Sequence, residues 1–254
     1  MPQLRVEQVS LASRSLTPHP KASPPVQYLL RDISFEVNRG DRLSLVGASG
    51  CGKTSLLRLL NRLSEPFRGT VYLEGQPFSQ VSVVALRQQI TLVHQETKLF
   101  GMTVREALTY PLKLRNIPPT TSEPKIAEWI EKLQIPQAWL DRTESQLSLG
   151  ERQWVAIARG LVIQPKILLL DEPTASLDAG RSHHLLKVLL EMSQLGQTIF
   201  MANHQLDLAK QFSDRVLHLH QGALIQDRKS TQIDWQALRE TIARAEATEA
   251  EEWE

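Results

Sequence analysis

The chain has 254 residues, 41 % of them apolar and 22 % charged, with a net charge of +1. This suits one large soluble α/β domain or a core with an insertion, and it excludes the broad basic face that nucleic acid requires, so no nucleic-acid partner is expected. The lone cysteine, Cys51, cannot form an internal disulfide, and no apolar run reaches the roughly 18–20 residues that span a bilayer, so a membrane role would run through a partner.

Residues 4–11 alternate as a short strand, and residues 13–25 form a proline- and serine-rich loop. Residues 28–37 read as a second strand with Leu30, Ile33, Phe35 and Val37 on one face, and residues 38–41 turn into a third, residues 42–46. Next comes Gly47-Ala48-Ser49-Gly50-Cys51-Gly52-Lys53-Thr54, followed by Ser55 and apolar residues at helical spacing. This G-x-x-x-x-G-K-T pattern between strand and helix is the phosphate-binding P-loop. Its backbone N–H groups and the positive end of the helix dipole converge on one concave spot. Lys53 reaches toward the β- and γ-phosphates, and the Thr54 hydroxyl suits Mg²⁺. Cys51 fills a permissive position of the loop.

Further strands are expected over residues 69–75 and 90–95, and from about residue 102 to 146 the pattern becomes helical, in segments 104–114 and 124–133 broken by prolines. Ser148 caps a helix, with Glu151 three residues on as its capping-box partner. The apolar run Ile167-Leu168-Leu169-Leu170 is a buried strand that delivers Asp171 and Glu172 to the end of a parallel sheet. There Asp171 can hold Mg²⁺ and Glu172 can polarise a water against a γ-phosphate. A helix over residues 181–195 and strands over 198–203 and 216–219 complete the alternation, which argues a largely parallel sheet with an inserted helical part. The histidines of His183-His184 and His218-x-His220 read as surface residues, and residues 233–254 as an acidic helical tail with Trp235 and Leu238 its only packing points.

The segment Leu147-Ser148-Leu149-Gly150-Glu151-Arg152-Gln153, just ahead of the Asp171-Glu172 strand, resembles the signature motif of ATP-binding cassette (ABC) ATPases. The other pieces follow in that family's order across residues 4–225. Gln95 matches the Q-loop glutamine, Thr174-Ala175-Ser176-Leu177-Asp178 the D-loop, and His204 the switch histidine. The resemblance implies an α/β P-loop cassette with a largely parallel core sheet, an antiparallel N-terminal β subdomain and an inserted helical subdomain. The cassette would span residues 4–230, its helical part about 100–160, with the tail at 231–254. It also implies an ATPase using ATP and Mg²⁺. Glu172, His204 and Gln95 would be catalytic, and Thr54, Gln95 and Asp171 would attend the metal. Two copies would pair head to tail, so that ATP held by residues 47–55 of one is covered by Ser148 and Gly150 of the other, with Asp178 linking the sites.

The same resemblance implies a separate membrane permease docking around residues 96–110, with the cassette at the cytoplasmic face. Leu149 and Glu151 replace the first glycine and the glutamine of the usual signature. For the adenine ring, Tyr28 is the nearest stacking candidate, the alternative being a tyrosine packed in its strand. The stretch Leu99-Phe100-Gly101-Met102-Thr103-Val104-Arg105-Glu106-Ala107-Leu108, with the Leu149 and Glu151 substitutions, is similar to the iron-efflux and plant aluminium-tolerance ATPases. Importer cassettes for amino acids or phosphate are the alternative, and a soluble non-transport ABC protein is a more distant one.

Overall fold

The computed structural model describes residues 1–12 and 27–251, so the loop expected at residues 13–25 lies outside the described residues. Four strands, β1 (Leu4–Ala12), β2 (Tyr28–Val37), β4 (Arg68–Leu73) and β5 (Gln76–Pro77), form an antiparallel sheet in the order β2-β1-β4-β5. In β2, Leu30, Ile33, Phe35 and Val37 are buried between exposed neighbours, as expected for a sheet with one face on the core.

The second sheet contains β3 (Arg42–Val46), β6 (Ile90–Val93), β7 (Ile167–Asp171), β8 (Thr198–Ala202), β9 (Arg215–His220) and β10 (Ala223–Lys229). Its order is β10-β9-β3-β8-β7-β6, parallel from β9 to β6, with β10 antiparallel at the edge. Every residue of β7 and β8 is buried. Strands covered on both faces read as continuous apolar runs, which is why they were legible.

The described residues also form eight α-helices, besides short 3-10 turns: α1 (Lys53–Leu60), α2 (Val83–Gln89), α3 (Val104–Lys113), α4 (Pro119–Lys132), α5 (Leu149–Leu161), α6 (Ala179–Gln194), α7 (Leu206–Phe212) and α8 (Trp235–Glu251). Helices α3 to α5 share one apolar cluster with a face of the parallel sheet, through Leu108, Trp129, Ile157, Leu168 and Leu170.

Several expectations are corrected. The helical stretch is interrupted at residues 114–118, ahead of Pro118 and Pro119, while Pro111 lies within α3 and Pro124 within α4, so the second helix begins earlier than residue 124. Helix α4 starts at Pro119, where a missing N–H costs nothing, and packing of Ile126, Trp129 and Ile130 carries it past Pro124. Strand β6 stops at Val93, so His94 and Gln95 follow the strand instead of ending it. Helices α2 and α7 and strand β10 were not foreseen. The two helices have seven residues each, too few for a periodic signal. β10 is polar and edge-on, held by pairing to β9 and by the Arg215–Asp227 ion pair. Ile233, just ahead of α8, and Ile242 on it join Trp235 and Leu238 against Val46, Leu206, Ala209 and Val216, so the tail is better anchored than two packing points would allow.

His218 is not a surface residue. It is 3 % exposed in β9, and its Nδ1 has no hydrogen-bond partner among the described residues. Burial, aided by His220, lowers its pKa from 6.5 to about 4. The unfolded chain therefore takes up this proton first, and stability is lost as pH falls from 6.5 toward about 4, by up to about 3 kcal/mol. His218→Leu should reduce the drop in Tm between about pH 7 and about pH 5 by about 4–8 °C relative to the unaltered chain, measured by circular dichroism. An equal drop in both proteins would refute the assignment.

Candidate active site

Parallel pairing fixes where the site lies. Leu45 of β3 and Asp171 of β7 both pair with Ala202 of β8, and Val93 of β6 pairs with Leu170. The carboxyl ends of β3, β8, β7 and β6 are therefore level. The residues that follow them, Gly47, His204, Glu172 and Gln95, meet along one edge. Ser49, Gly50, Gly52, Lys53, Thr54, Ser55, Gln95, Glu172 and His204 line a single cleft of about 330 Å³ there.

The cleft floor is the start of α1. Lys53 is 5 % exposed, and its Nζ donates to the carbonyls of Gly47 at 2.8 Å and Ala48 at 2.9 Å. The ammonium is thus fixed against its own loop. Gly47, Ala48 and Cys51 do not line the cleft, and Ala48 and Cys51 are buried. Cys51 packs in the apolar cluster with Leu56, Leu57 and Leu219, so these residues shape the path of the loop.

Two carboxylates stand opposite. Asp171 is 2 % exposed, and its Oδ1 accepts from the Thr54 hydroxyl at 3.2 Å. Burial raises its pKa; the Thr54 hydrogen bond opposes the shift and the neighbouring Glu172 adds to it. A hydroxyl and a carboxylate oxygen side by side are hard donors of the kind Mg²⁺ takes, so the residues present fit that ion. Glu172 has φ +49 and its N–H donates to Ala202 O at 3.1 Å. Left-handed backbone is costly for a non-glycine residue, and such strain concentrates at functional sites. It turns the carboxylate away from the strand line into the cleft. Gln95 Nε2 donates to Glu172 Oε2 at 2.9 Å, and His204 Nε2 lies 2.6 Å from Oε1. Both oxygens are thereby oriented by residues from other strands.

Ser148, Gly150 and Asp178 lie outside this cleft. Ser148 begins α5 as expected: its Oγ accepts from Glu151 N at 3.3 Å, and Glu151 Oε2 accepts from Ser148 N at 2.8 Å. These cap hydrogen bonds hold the Glu151 carboxyl below its usual range. Leu149 is 56 % exposed beside them. A Cβ on Gly150 would fall 2.5 Å from Ser176 O, so the start of α5 rests directly on the segment leading to Asp178. Asp178 caps α6, accepting from Arg181 N at 2.8 Å. Tyr28 also lies outside the cleft and packs its ring edgewise on Phe67, 6.1 Å between centroids.

The sequence reading missed Arg58, His94 and Arg159. They line a neighbouring cleft of about 580 Å³ that shares Thr54 and Gln95 with the first, includes Asp171, and opens beside Phe100, Tyr110 and Leu114. Burial, then Arg58, lowers the His94 pKa. No motif marks these residues; helix α5 brings Arg159 to them from 65 positions beyond His94.

A family profile described as ABC transporter matches residues 30–175. The energy-coupling factor transporter ATP-binding protein EcfA of Methanothermobacter thermautotrophicus is 34 % identical over 209 residues, 80 % of this chain and 67 % of that one. The general L-amino acid transport ATP-binding protein AapP of Rhizobium johnstonii is 32 % identical over 206 residues, 80 % of each chain. Among solved structures, cbiO1 of Clostridium perfringens, part of the ABC transporter complex cbiONQ, superposes with a TM-score of 0.75 at 26 % identity, covering 97 % of this chain and 92 % of that one. With the P-loop, the paired carboxylates and the capped signature helix placed as described, the chain belongs to the ABC transporter family as an ATP-binding subunit that hydrolyses ATP.

Proposed function

We propose that two copies of this chain close head to tail over ATP and, from the cytoplasmic face, drive a separate membrane permease. The observation that carries this reading is the single cleft in which Lys53, Thr54, Gln95, Glu172 and His204 converge from four strand ends. Residues 47–55 hold the phosphates, and Thr54, Asp171 and Gln95 attend the metal. Mg²⁺ bound there screens phosphate charge during transfer. Glu172 accepts the proton of the attacking water, with Gln95 and His204 fixing its two oxygens; His204 also meets the γ-phosphate. Ser148 and Gly150, which lie outside their own cleft, complete the partner's site, and Asp178 couples the two through the Gly150–Ser176 contact. Contacts to a γ-phosphate are lost on hydrolysis, so ATP favours the closed pair and ADP the open one.

In this reading residues 4–230 form the cassette, about 100–160 its helical subdomain, and 231–254 the tail. Tyr28 serves as the adenine platform only if the nucleotide extends past the described cleft toward β2. The permease contacts residues 96–110, where Phe100 and Tyr110 are exposed. For cargo, the stretch at residues 99–108 and the Leu149 and Glu151 substitutions support metal efflux of the iron type, whereas the amino-acid transport named for AapP supports an importer. The permease, which binds cargo, separates the two.

Glu172→Gln should retain ATP affinity and lose turnover by roughly 10²-fold or more, leaving a stable dimer with Mg-ATP on size-exclusion chromatography. Retained turnover would remove Glu172 from the role of base. Lys53→Ala should weaken binding of a fluorescent ATP analogue by roughly tenfold or more, since a charge-assisted contact is lost. Unchanged affinity would contradict the phosphate cradle.

A further inference from the structure

A P-loop offers N–H groups to an anion only if its carbonyls are turned elsewhere and satisfied. Here Lys53 takes the carbonyls of Gly47 and Ala48. The carbonyl of Cys51 accepts, at 3.0 Å, from the N–H of Gly222, far along the chain. The peptide plane is rigid and trans, so drawing Cys51 O toward Gly222 points the N–H of Gly52 the opposite way. Gly52 lines the cleft.

Gly222 lies in the two-residue turn between β9 and β10. Gln221 has φ +46 and Gly222 φ +78, the signature of a type I′ hairpin. The turn is pinned on its other side too, since Gly222 O accepts from Arg31 N at 2.7 Å. A Cβ on Gly222 would stand 2.7 Å from Leu29 O. The loop itself leans on the same pieces: a Cβ on Gly47 would stand 2.2 Å from Leu219 O, and one on Gly52 3.0 Å from Leu29 O. The Gly47 end of the phosphate loop is therefore seated on the end of β9, and the Gly52 end on the β9–β10 turn and the start of β2.

We propose that this turn is a mould for the phosphate loop and that Gly222 is a positioning residue for ATP, holding the Cys51–Gly52 peptide so that its N–H faces the phosphates. The proposal rests on the reading that residues 47–55 grip ATP. Gly222 touches no substrate and acts through Cys51. Any side chain at Gly222 pushes the turn off Leu29 O, lengthens the hydrogen bond to Cys51 and lets the Gly52 peptide rotate. Ground-state and transition-state contacts to the phosphates suffer alike, so KM changes and kcat does not.

The test compares Gly222→Ala with Gly196→Ala. Gly196 has φ +89, but a Cβ there meets only the Arg39 side chain, at 3.4 Å, so it carries the same backbone penalty without a link to the loop. Gly222→Ala should raise the KM for ATP roughly tenfold, the loss of about one hydrogen bond, with kcat at saturation within about twofold. Gly196→Ala should lower Tm by the positive-φ penalty alone and leave KM unchanged. If Gly222→Ala is insoluble, Gly222→Asn, which tolerates positive φ better but places the same Cβ against Leu29 O, should fold and still raise KM roughly tenfold. An unchanged KM in the folded Gly222 variant, or an equal KM rise in Gly196→Ala, overturns the proposal. Failure of the unaltered chain to bind ATP would instead overturn the reading beneath it.

Discussion

A buried strand without polar side chains can satisfy its backbone only through its neighbours, and in this protein that requirement aligns the chemistry. β3, β8, β7 and β6 are apolar almost throughout and lie in parallel register, with β8 pairing to both β3 and β7 at Ala202. Because the strands end level, four chain segments far apart in sequence begin their loops at the same height. A slip of one residue in β7 would flip its side chains across the sheet and carry the two carboxylates with them.

The electrostatic layout follows from that alignment. Asp171 is deep and meets the Thr54 hydroxyl, whereas Glu172, one residue later, is turned outward by its left-handed backbone to meet Gln95 and His204. Adjacent carboxylates with different surroundings can take different tasks, one beside a metal and one beside a water. Lys53 is equally constrained, its ammonium bonded to the loop carbonyls rather than swinging on a free stem. The site is organised by groups that orient one another, which lowers the ordering cost of binding.

The helical stretch is continuous with the core through the apolar cluster that joins Trp129 and Ile157 to Leu168 and Leu170. It carries the start of α5, with Ser148 and Leu149, at a distance from its own cleft, and rests it on Ser176 through the close approach at Gly150. That arrangement suits a surface completing a second copy's site. On the far side, α8 packs Leu238 against Val46, the residue before the phosphate loop, and against Leu206 and Ala209 of the helix after His204. Both segments that enter the cleft from β3 and β8 are thus backed by the tail.

The sequence alone determined the local features that carry a motif or a long apolar pattern, though not the seven-residue helices α2 and α7. The phosphate loop is a turn whose glycines and lysine are adjacent, the Asp171-Glu172 strand is an uninterrupted apolar run, and the Ser148–Glu151 cap spans three residues. Each is a short-range interaction written in neighbouring letters. Tertiary structure decided what depends on residues meeting across the chain. It brought Gln95 and His204 to the two oxygens of Glu172, buried His218, and left Tyr28 against Phe67 outside the cleft. It also made the polar edge strand β10, and placed Gly222 under Cys51, a contact spanning most of the chain. The physical reason is that a hydrogen bond or a packed ring is set by distance in space, and only the paired strands fix which distant residues come within about 3 Å of each other.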